Sequence, residues 1–148
     1  MMNSIKLYTI GFTQKNAMTF FNLIKTNKIK KVIDIRLNNA SQLAGFTKKD
    51  DLKYFLHEIC NVEYLHKIDL SPTEEILKKY KNKEITWSEY EKHFMELLNI
   101  RKPEKYIGVE LLNNSCLLCS ESTADKCHRR LVAEYFKNIY KEIEIIHI

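Results

Sequence analysis

The chain has few of the residues that mark flexible or fibrous proteins, since its 148 residues include only 3 glycines and 2 prolines. This composition excludes collagen-like and Gly/Pro-rich disordered classes. Charged residues make up 29% of the chain with a net charge of +5, which is too balanced for a disordered polyelectrolyte, and 45% are hydrophobic. At this length, the composition predicts one compact domain over residues 1–148.

Long apolar runs and a secretory leader are also missing. No stretch of about 18 apolar residues occurs, so the sequence does not support a membrane span. The first residues run directly into a strand-like segment and lack the apolar stretch and cleavage site of a signal peptide. We therefore expect a cytoplasmic protein whose 4 cysteines stay as thiols rather than form a disulfide scaffold.

The basic excess comes almost entirely from lysine, because only four of the 24 basic residues are arginines, at positions 36, 101, 129 and 130. Lysines scattered around helix-like segments are typical of a solvated surface, which permits nucleic-acid binding without indicating it. A guanidinium is more informative because it can bind a carboxylate or a phosphate through two hydrogen bonds.

Strand-like and helix-like segments alternate along the chain. The sequence predicts strands at residues 5–10, 31–36, 62–66, 115–119 and 142–148, helices at 16–27, 47–60 and 125–140, and two or three helices between 71 and 113. This order predicts an α/β fold: a single domain with a mainly parallel five-stranded sheet flanked by helices and a helical insertion before the fourth strand.

Local patterns refine several of these helices. Thr86 and Glu89 have the spacing of a capping box, and Arg130 is placed to pair with Glu134 on a helix surface. The apolar spacing predicts two buried helix faces, formed by Ala17, Phe20, Phe21 and Ile24 and by Leu52, Phe55, Leu56 and Ile59.

Polar and reactive side chains follow the ends of the predicted strands, where ligands bind in open parallel sheets. They are Gly11 and Thr13 after the first strand, Asp34 and Arg36 at the end of the second, His66 at the end of the third, and Cys119 and Glu121 after the fourth. Asp34 and Arg36 share one face of their strand, so we expect an ion pair or a shared hydrogen-bond network. Asp34 can equally well serve only to hold the adjoining loop.

Cys127, His128 and Arg129 are predicted to lie in the first turn of the last long helix. The positive end of the helix dipole there favours a thiolate and attracts a phosphate or carboxylate, which Arg129 would clamp. Alternatively, Cys127 is a small buried filler and His128 a core histidine bonded to a carbonyl. A regulatory disulfide between Cys119 and Cys127 stays open as a minority possibility.

A zinc site formed by Cys116, Cys119, Cys127 and His128 is disfavoured, and no metal is expected. Residues three apart on a strand point to opposite faces, so Cys116 and Cys119 cannot both hold one ion. No Walker loop or GxGxxG motif is present either, so the sequence identifies no cofactor.

Four ordered motifs resemble those of domain-of-unknown-function family 488 (DUF488). They are Tyr-Thr-Ile-Gly-Phe-Thr at residues 8–13, Val-Ile-Asp-Ile-Arg at 32–36, Leu-Cys-Ser-Glu at 118–121 and the Cys-His-Arg motif Cys-His-Arg-Arg-Leu at 127–131. The resemblance spans nearly the whole chain and implies an α/β fold, but it transfers no established reaction. The site residues that it implies are Gly11, Asp34, Arg36, Cys119, Glu121, Cys127, His128 and Arg129.

The first functional hypothesis is an enzyme or binder for an anionic small molecule, phosphate- or nucleotide-like, at the carboxyl ends of the strands. Gly11, Thr13, Arg36, Cys119 and Arg129 would bind it, Asp34 or Glu121 would act as acid or base, and Cys127 with His128 would supply a nucleophile or proton carrier. The hypothesis requires the last helix and the Asp34–Arg36 pair to share one cleft. The alternatives are a nucleic-acid-binding accessory protein and a purely structural protein.

Overall fold

The computed structural model describes residues 4–39, 45–120 and 126–148. Its strands are β1 (Ile5–Gly11), β2 (Lys31–Asp34), β3 (Glu63–His66), β4 (Ser115–Cys119) and β5 (Ile143–His147). Its α-helices are α1 (Ala17–Thr26), α2 (Lys49–Phe55), α3 (Glu74–Lys81), α4 (Trp87–Arg101), α5 (Val109–Leu112) and α6 (His128–Ile139). A π-helical turn, Leu56–Cys60, continues α2. The α/β class predicted from the sequence is confirmed.

All five described strands pair in parallel, in the order β3-β2-β4-β1-β5. The central strand β4 reads Ser-Cys-Leu-Leu-Cys and is buried at every position. Such continuous burial is expected when helices cover both faces of a parallel sheet.

The two faces of the sheet carry separate apolar cores. On one face, Phe20 and Ile24 of α1 pack with Leu52 of α2 and with Leu118 of β4. On the other face, residues of α4 and α6 pack with Leu117 of β4. The alternation of side chains along β4 therefore assigns Cys116 to the α1 face and Cys119 to the α6 face.

The predicted helical insertion before the fourth strand comprises α3, α4 and α5. Phe94 of α4 is fully buried in the α6-side core. Its ring also lies edge-on to the ring of His128, with 5.7 Å between the ring centroids. The insertion thus covers the face of the sheet that carries α6 and reaches the first residue of that helix.

The connections around β4 produce a switch point at its carboxyl end. The loop after β4 leads to α6 on one face, whereas the neighbouring strands β1 and β2 lead to α1 and α2 on the other. In open α/β sheets this reversal separates the loops and is the usual position of a ligand site.

Several predicted boundaries and buried positions were wrong. The second strand pairs only as far as Asp34, and α6 starts at His128, because the backbone of Cys127 is still extended (φ −140°, ψ 139°). Cys127 is thus the residue before the helix and not part of its first turn. Ala17 and Ile59 are exposed rather than buried. Residues 40–44, between β2 and α2, and residues 121–125, between β4 and α6, lie outside the described residues.

Candidate functional site

The carboxyl ends of β1, β2 and β4 meet at one edge of the sheet. Gly11 lies opposite Cys119, and Asp34 lies opposite Leu118 in the strand register. Beyond the strands, the backbone N–H of Thr13 donates to the carbonyl of Ser120 at 2.9 Å. The structure thus brings Gly11, Thr13, Asp34 and Cys119 to the same edge, although the Thr13 side chain is exposed.

Asp34 and Arg36 form the ion pair that strand alternation predicts. The Arg36 Nε donates to Oδ1 of Asp34 at 2.9 Å and Nη2 donates to Oδ2 at 2.7 Å. Asp34 is fully buried and Arg36 is 5% exposed. Two parallel hydrogen bonds in a buried setting orient the guanidinium firmly.

Further donors complete the surroundings of the Asp34 carboxylate. The Tyr64 hydroxyl donates to Oδ2 at 2.6 Å, and the backbone N–H of Arg36 donates to Oδ1 at 3.1 Å. Burial, followed by the hydrogen bond to Asp34, raises the pKa of Tyr64 above its usual value, so Tyr64 remains a donor. Because both carboxylate oxygens are occupied, Asp34 is suited to hold Arg36 in place rather than to exchange protons.

Arg36 has one hydrogen-bonding atom left over. Its Nη2 also donates to the carbonyl of Thr47 at 2.7 Å. The buried Nη1 atom has no hydrogen-bond partner among the described residues. The guanidinium carbon lies 5.4 Å from the centroid of the Phe12 ring, a cation–π contact.

The loop after β4 brings Cys119, Cys127 and His128 together. The sulfur atoms of the two cysteines are at bonding distance, so the expectation that all four cysteines stay as thiols is not confirmed for this pair, although their Cα atoms are 7.7 Å apart. A ring nitrogen of His128 and both sulfur atoms all lie within 4.8 Å of one another. The cysteines are 1% and 3% exposed, so this cluster belongs to the buried edge of the α6-side core.

The imidazole of His128 is held by the backbone of the second strand's extension. Its Nε2 lies 2.8 Å from the carbonyl oxygen of Ile35. A carbonyl only accepts, so Nε2 carries the proton and Nδ1 keeps a lone pair. Burial lowers the pKa of His128 to about 4, which makes the ring neutral near pH 7.

Basic side chains concentrate at the start of α6. Arg129 is 1% exposed, and Lys15 from the loop after β1 is partly buried. Burial and then repulsion from Arg129 lower the pKa of Lys15. Both side chains contribute positive charge at this edge of the sheet.

The cysteine cluster and the Asp34–Arg36 pair adjoin at the sheet edge but approach it from opposite faces. Asp34 follows Val32 on the α1 side, whereas Cys119 and Cys127 pack on the α6 side. The hydrogen bond between His128 and Ile35 joins them. The two groups therefore reach the same edge of the sheet from opposite faces, and the single cleft that the sequence-based hypothesis requires stays a prediction.

The remaining predicted residues have other positions. His66 bonds through Nε2 to the carbonyl of Arg36 at 2.9 Å, next to the pair. Arg130 contacts Glu134 at 2.9 Å, as predicted, and Glu91 at 3.3 Å on the outer surface of α6. Glu121 lies outside the described residues.

Two depressions in the described surface lie away from the carboxyl edge of the sheet. One, of about 360 Å³, is lined by residues that include Ile5, Lys31 and Asn114 near the amino ends of the strands. The other, of about 350 Å³, is an apolar groove that includes Phe21, Phe46 and Phe55. Neither depression includes the side chains at the carboxyl edge of the sheet.

Comparison with known families identifies the family of the chain. The family model described as "Domain of unknown function DUF488" matches residues 16–136. The chain belongs to the DUF488 family. No curated protein and no solved structure matches the chain significantly. None of the described helices of this DUF488 domain is long and apolar enough to cross a membrane.

Sequence reasoning about the DUF488 domain missed Tyr64, Lys15 and the carbonyl of Ile35. Tyr64 had a usable signal, because a tyrosine within a strand that pairs with a buried strand needs a partner for its hydroxyl. Lys15 had none, since it is one lysine among many. A backbone carbonyl leaves no trace in side-chain patterns, so its bond to His128 is visible only in the structure.

Proposed function

We propose that this DUF488 domain binds an anionic small molecule, with a phosphate-like group, at the carboxyl edge of β1, β2 and β4. The observation that carries the proposal is the position of the buried Arg129 in the first turn of the 12-residue helix α6, at the sheet edge where the loop that carries Lys15 meets the loop after β4. A helix start and a buried guanidinium both attract an anion, and the partly buried Lys15 on the adjoining loop adds a further positive charge.

The start of α6 also contributes positive electrostatic potential at this edge. A 12-residue helix begins at His128, so its unpaired backbone N–H groups and the positive end of its dipole face the same edge. Phosphate groups bind at such helix starts when a basic side chain supports them. Lys15 and Arg129 supply that support here.

Arg36 lies on the α1 side of this edge and would act as a second, preoriented donor to a ligand that extends across the edge. Its charge is balanced by Asp34, so it adds little to the net attraction. Its Nη1 atom is buried and has no hydrogen-bond partner among the described residues, so it can donate to a ligand oxygen without breaking another bond.

The same edge has groups that would serve an enzyme. The sulfur atoms of Cys119 and Cys127 and the neutral imidazole of His128 lie together at this edge, and reduction of the cysteine pair would supply thiols there. Thiols and imidazoles commonly act as nucleophile and proton carrier. Asp34 would hold Arg36 in position instead of acting as the general acid or base, because both its oxygens already accept hydrogen bonds.

Thermal denaturation with added inorganic phosphate, pyrophosphate or a mononucleotide tests the proposal. A ligand at 100 times its Kd stabilises the folded state by about 2.7 kcal/mol, which raises the Tm by about 5–10 °C at this size. Lys15→Gln should weaken binding about tenfold, the effect of one lost charge-assisted contact. The matched control is Lys6→Gln, an exposed lysine at the other end of β1, which should bind like the parent.

Two results would overturn the proposal. One is the same Tm with and without every anion in the series. The other is oligonucleotide binding that falls steeply with salt and is equally strong in the Lys15→Gln and Lys6→Gln variants, because that pattern indicates dispersed phosphate contacts and a nucleic-acid-binding protein.

A further inference from the structure

We propose that Cys119, Cys127 and His128 form a zinc site with three protein ligands and one open position. The two sulfur atoms and a ring nitrogen of His128 lie within 4.8 Å of one another. In a tetrahedral zinc centre, ligand atoms at about 2.0–2.3 Å from the metal are about 3.3–3.8 Å apart. An ion would hold the two sulfur atoms, which are at bonding distance without it, apart at this spacing, and the His128 nitrogen is near enough to supply the third ligand.

The separation of the two cysteine backbones supports an ion between the sulfurs. The Cα atoms of Cys119 and Cys127 are 7.7 Å apart, whereas directly bonded cysteines usually have Cα atoms about 4.4–6.8 Å apart. Two cysteines that share a metal ion can have more distant backbones, because the ion adds two metal–sulfur bonds to the link. The spacing is therefore better suited to a shared ion than to a direct bond.

The partner of the His128 ring is the one that a metal-ligating histidine requires. Histidine ligands generally donate their second ring N–H to a carbonyl or carboxylate, which fixes the ring and its tautomer. Nε2 of His128 donates to the carbonyl of Ile35 at 2.8 Å, so the lone pair belongs to Nδ1. The ring of Phe94 also lies edge-on to the imidazole and limits its rotation.

The ligands belong to regular elements. Cys119 is the last residue of β4, Cys127 immediately precedes α6, and His128 is its first residue. Two thiolates and an imidazole are soft to borderline ligands that select Zn²⁺ over Mg²⁺ or Ca²⁺. Binding would release the two thiol protons to solvent, and the two thiolate charges would balance the ion.

The expectation from the sequence that zinc is disfavoured concerned a different ligand set. That set included Cys116, which packs on the α1 face, opposite Cys119. Burial raises the pKa of the Cys116 thiol, so this cysteine remains protonated and takes no part. Removing Cys116 leaves three ligands, which is typical of zinc centres that keep a position for water or a substrate.

The test is metal titration of the reduced full chain. Zn²⁺ is titrated against a chromophoric chelator, and Co²⁺ is followed through its thiolate charge-transfer and tetrahedral ligand-field absorption. We expect one ion per chain and both sets of Co²⁺ bands. Cys119→Ser and Cys127→Ser should each weaken zinc binding by more than about 100-fold, because losing even a residue that only supports a ligand costs about 10–100-fold.

The matched control is Cys60→Ser. This cysteine is partly buried on the α1 side of the molecule, in a different core, and its variant should bind zinc like the parent. Circular dichroism of each metal-free variant separates loss of a ligand from loss of the fold. His128→Gln should bind more weakly and lose the imidazole contribution to the Co²⁺ spectrum.

Three results would overturn the proposal. The reduced parent chain could bind neither ion, or a folded Cys119→Ser or Cys127→Ser variant could bind zinc as tightly as the parent. The third is a Cys119–Cys127 disulfide, without metal, in protein freshly purified without added oxidant, identified by peptide mass spectrometry.

Discussion

Asp34 is a charged residue in the interior of a parallel sheet, and its contacts explain why it is tolerated there. Arg36 neutralises it through two side-chain hydrogen bonds, and Tyr64 donates a third from the neighbouring strand β3. A buried charge that is both paired and fully hydrogen-bonded avoids most of the cost of desolvation. The pair is therefore a structural unit that positions Arg36 at the sheet edge.

Replacing Asp34 by Asn should strongly destabilise the protein. The change removes the negative charge and leaves the Arg36 guanidinium buried without a counter-ion, which costs about 3–5 kcal/mol. Urea denaturation followed by circular dichroism measures this as a lower midpoint at unchanged slope.

Glu75→Gln is the control for that experiment. Glu75 and Lys79 form an exposed ion pair at 3.1 Å on α3, with side chains 75% and 49% exposed. Removing an exposed pair changes stability by less than about 1 kcal/mol. Equal losses for the two variants would show that the burial of Asp34 carries no special cost.

At the scale of single elements, capping decides where helices begin. Thr86 accepts from the backbone N–H of Glu89 at 3.2 Å, and the Glu89 carboxylate accepts from the backbone N–H of Thr86 at 3.1 Å. The spacing of the two residues predicts this capping box, because it depends only on four consecutive positions. The start of α6 was harder to predict, because it depends on how Cys127 is held between the sheet edge and the helix.

Thr86→Ala should reduce the free energy of unfolding by about 1 kcal/mol, because the first turn of α4 loses its side-chain acceptor. Chemical denaturation measures the difference. Thr86→Ser is the matched control and should stay close to the parent, since serine provides the same oxygen. If the serine variant were as unstable as the alanine variant, the loss of stability would come from the missing methyl group and not from the missing hydrogen-bond acceptor.

The capping box also makes α4 sensitive to acid. Hydrogen bonds from Thr86, the backbone one first, lower the pKa of Glu89 below its usual value. A carboxylate with a lowered pKa in the folded state adds stability above its unfolded pKa, and this is lost as the pH falls through its folded value. The contribution of the cap is therefore present at neutral pH and declines in acid.

At the scale of the whole molecule, the sheet separates two apolar cores. Ile24 of α1 is fully buried in one core, and Ile107, just before α5, is fully buried in the other. Each core is continuous on its own face and is separated from the other by the backbone of the sheet. This division also separates the two halves of the candidate site.

The separation predicts that small core changes on opposite faces act independently. Ile24→Val and Ile107→Val should each cost about 0.5–1.5 kcal/mol, and the double variant should cost their sum within about 0.5 kcal/mol. Equilibrium unfolding of the parent, the two single variants and the double variant measures the four free energies that this comparison needs. A larger deviation from additivity would show that the two faces are coupled through the sheet.

Local sequence by itself determined the alternation of strands and helices, the capping box and the pairing of Asp34 with Arg36. Each of these depends on residues a few positions apart, so the period of a strand or a helix is sufficient to predict it. The buried faces followed the same rule, except at positions such as Ile59, where the helix periodicity gives way to a π-helical turn.

Only the tertiary structure decided which strand ends are neighbours. The contacts of Cys119 with Cys127, of His128 with Ile35 and of Thr13 with Ser120 require β4 to lie between β1 and β2. Strand order follows from how whole helices pack on the two faces, and hydrophobic periodicity within one segment carries no information about it. The candidate site is made of such long-range contacts, so it became visible only when the sheet was assembled.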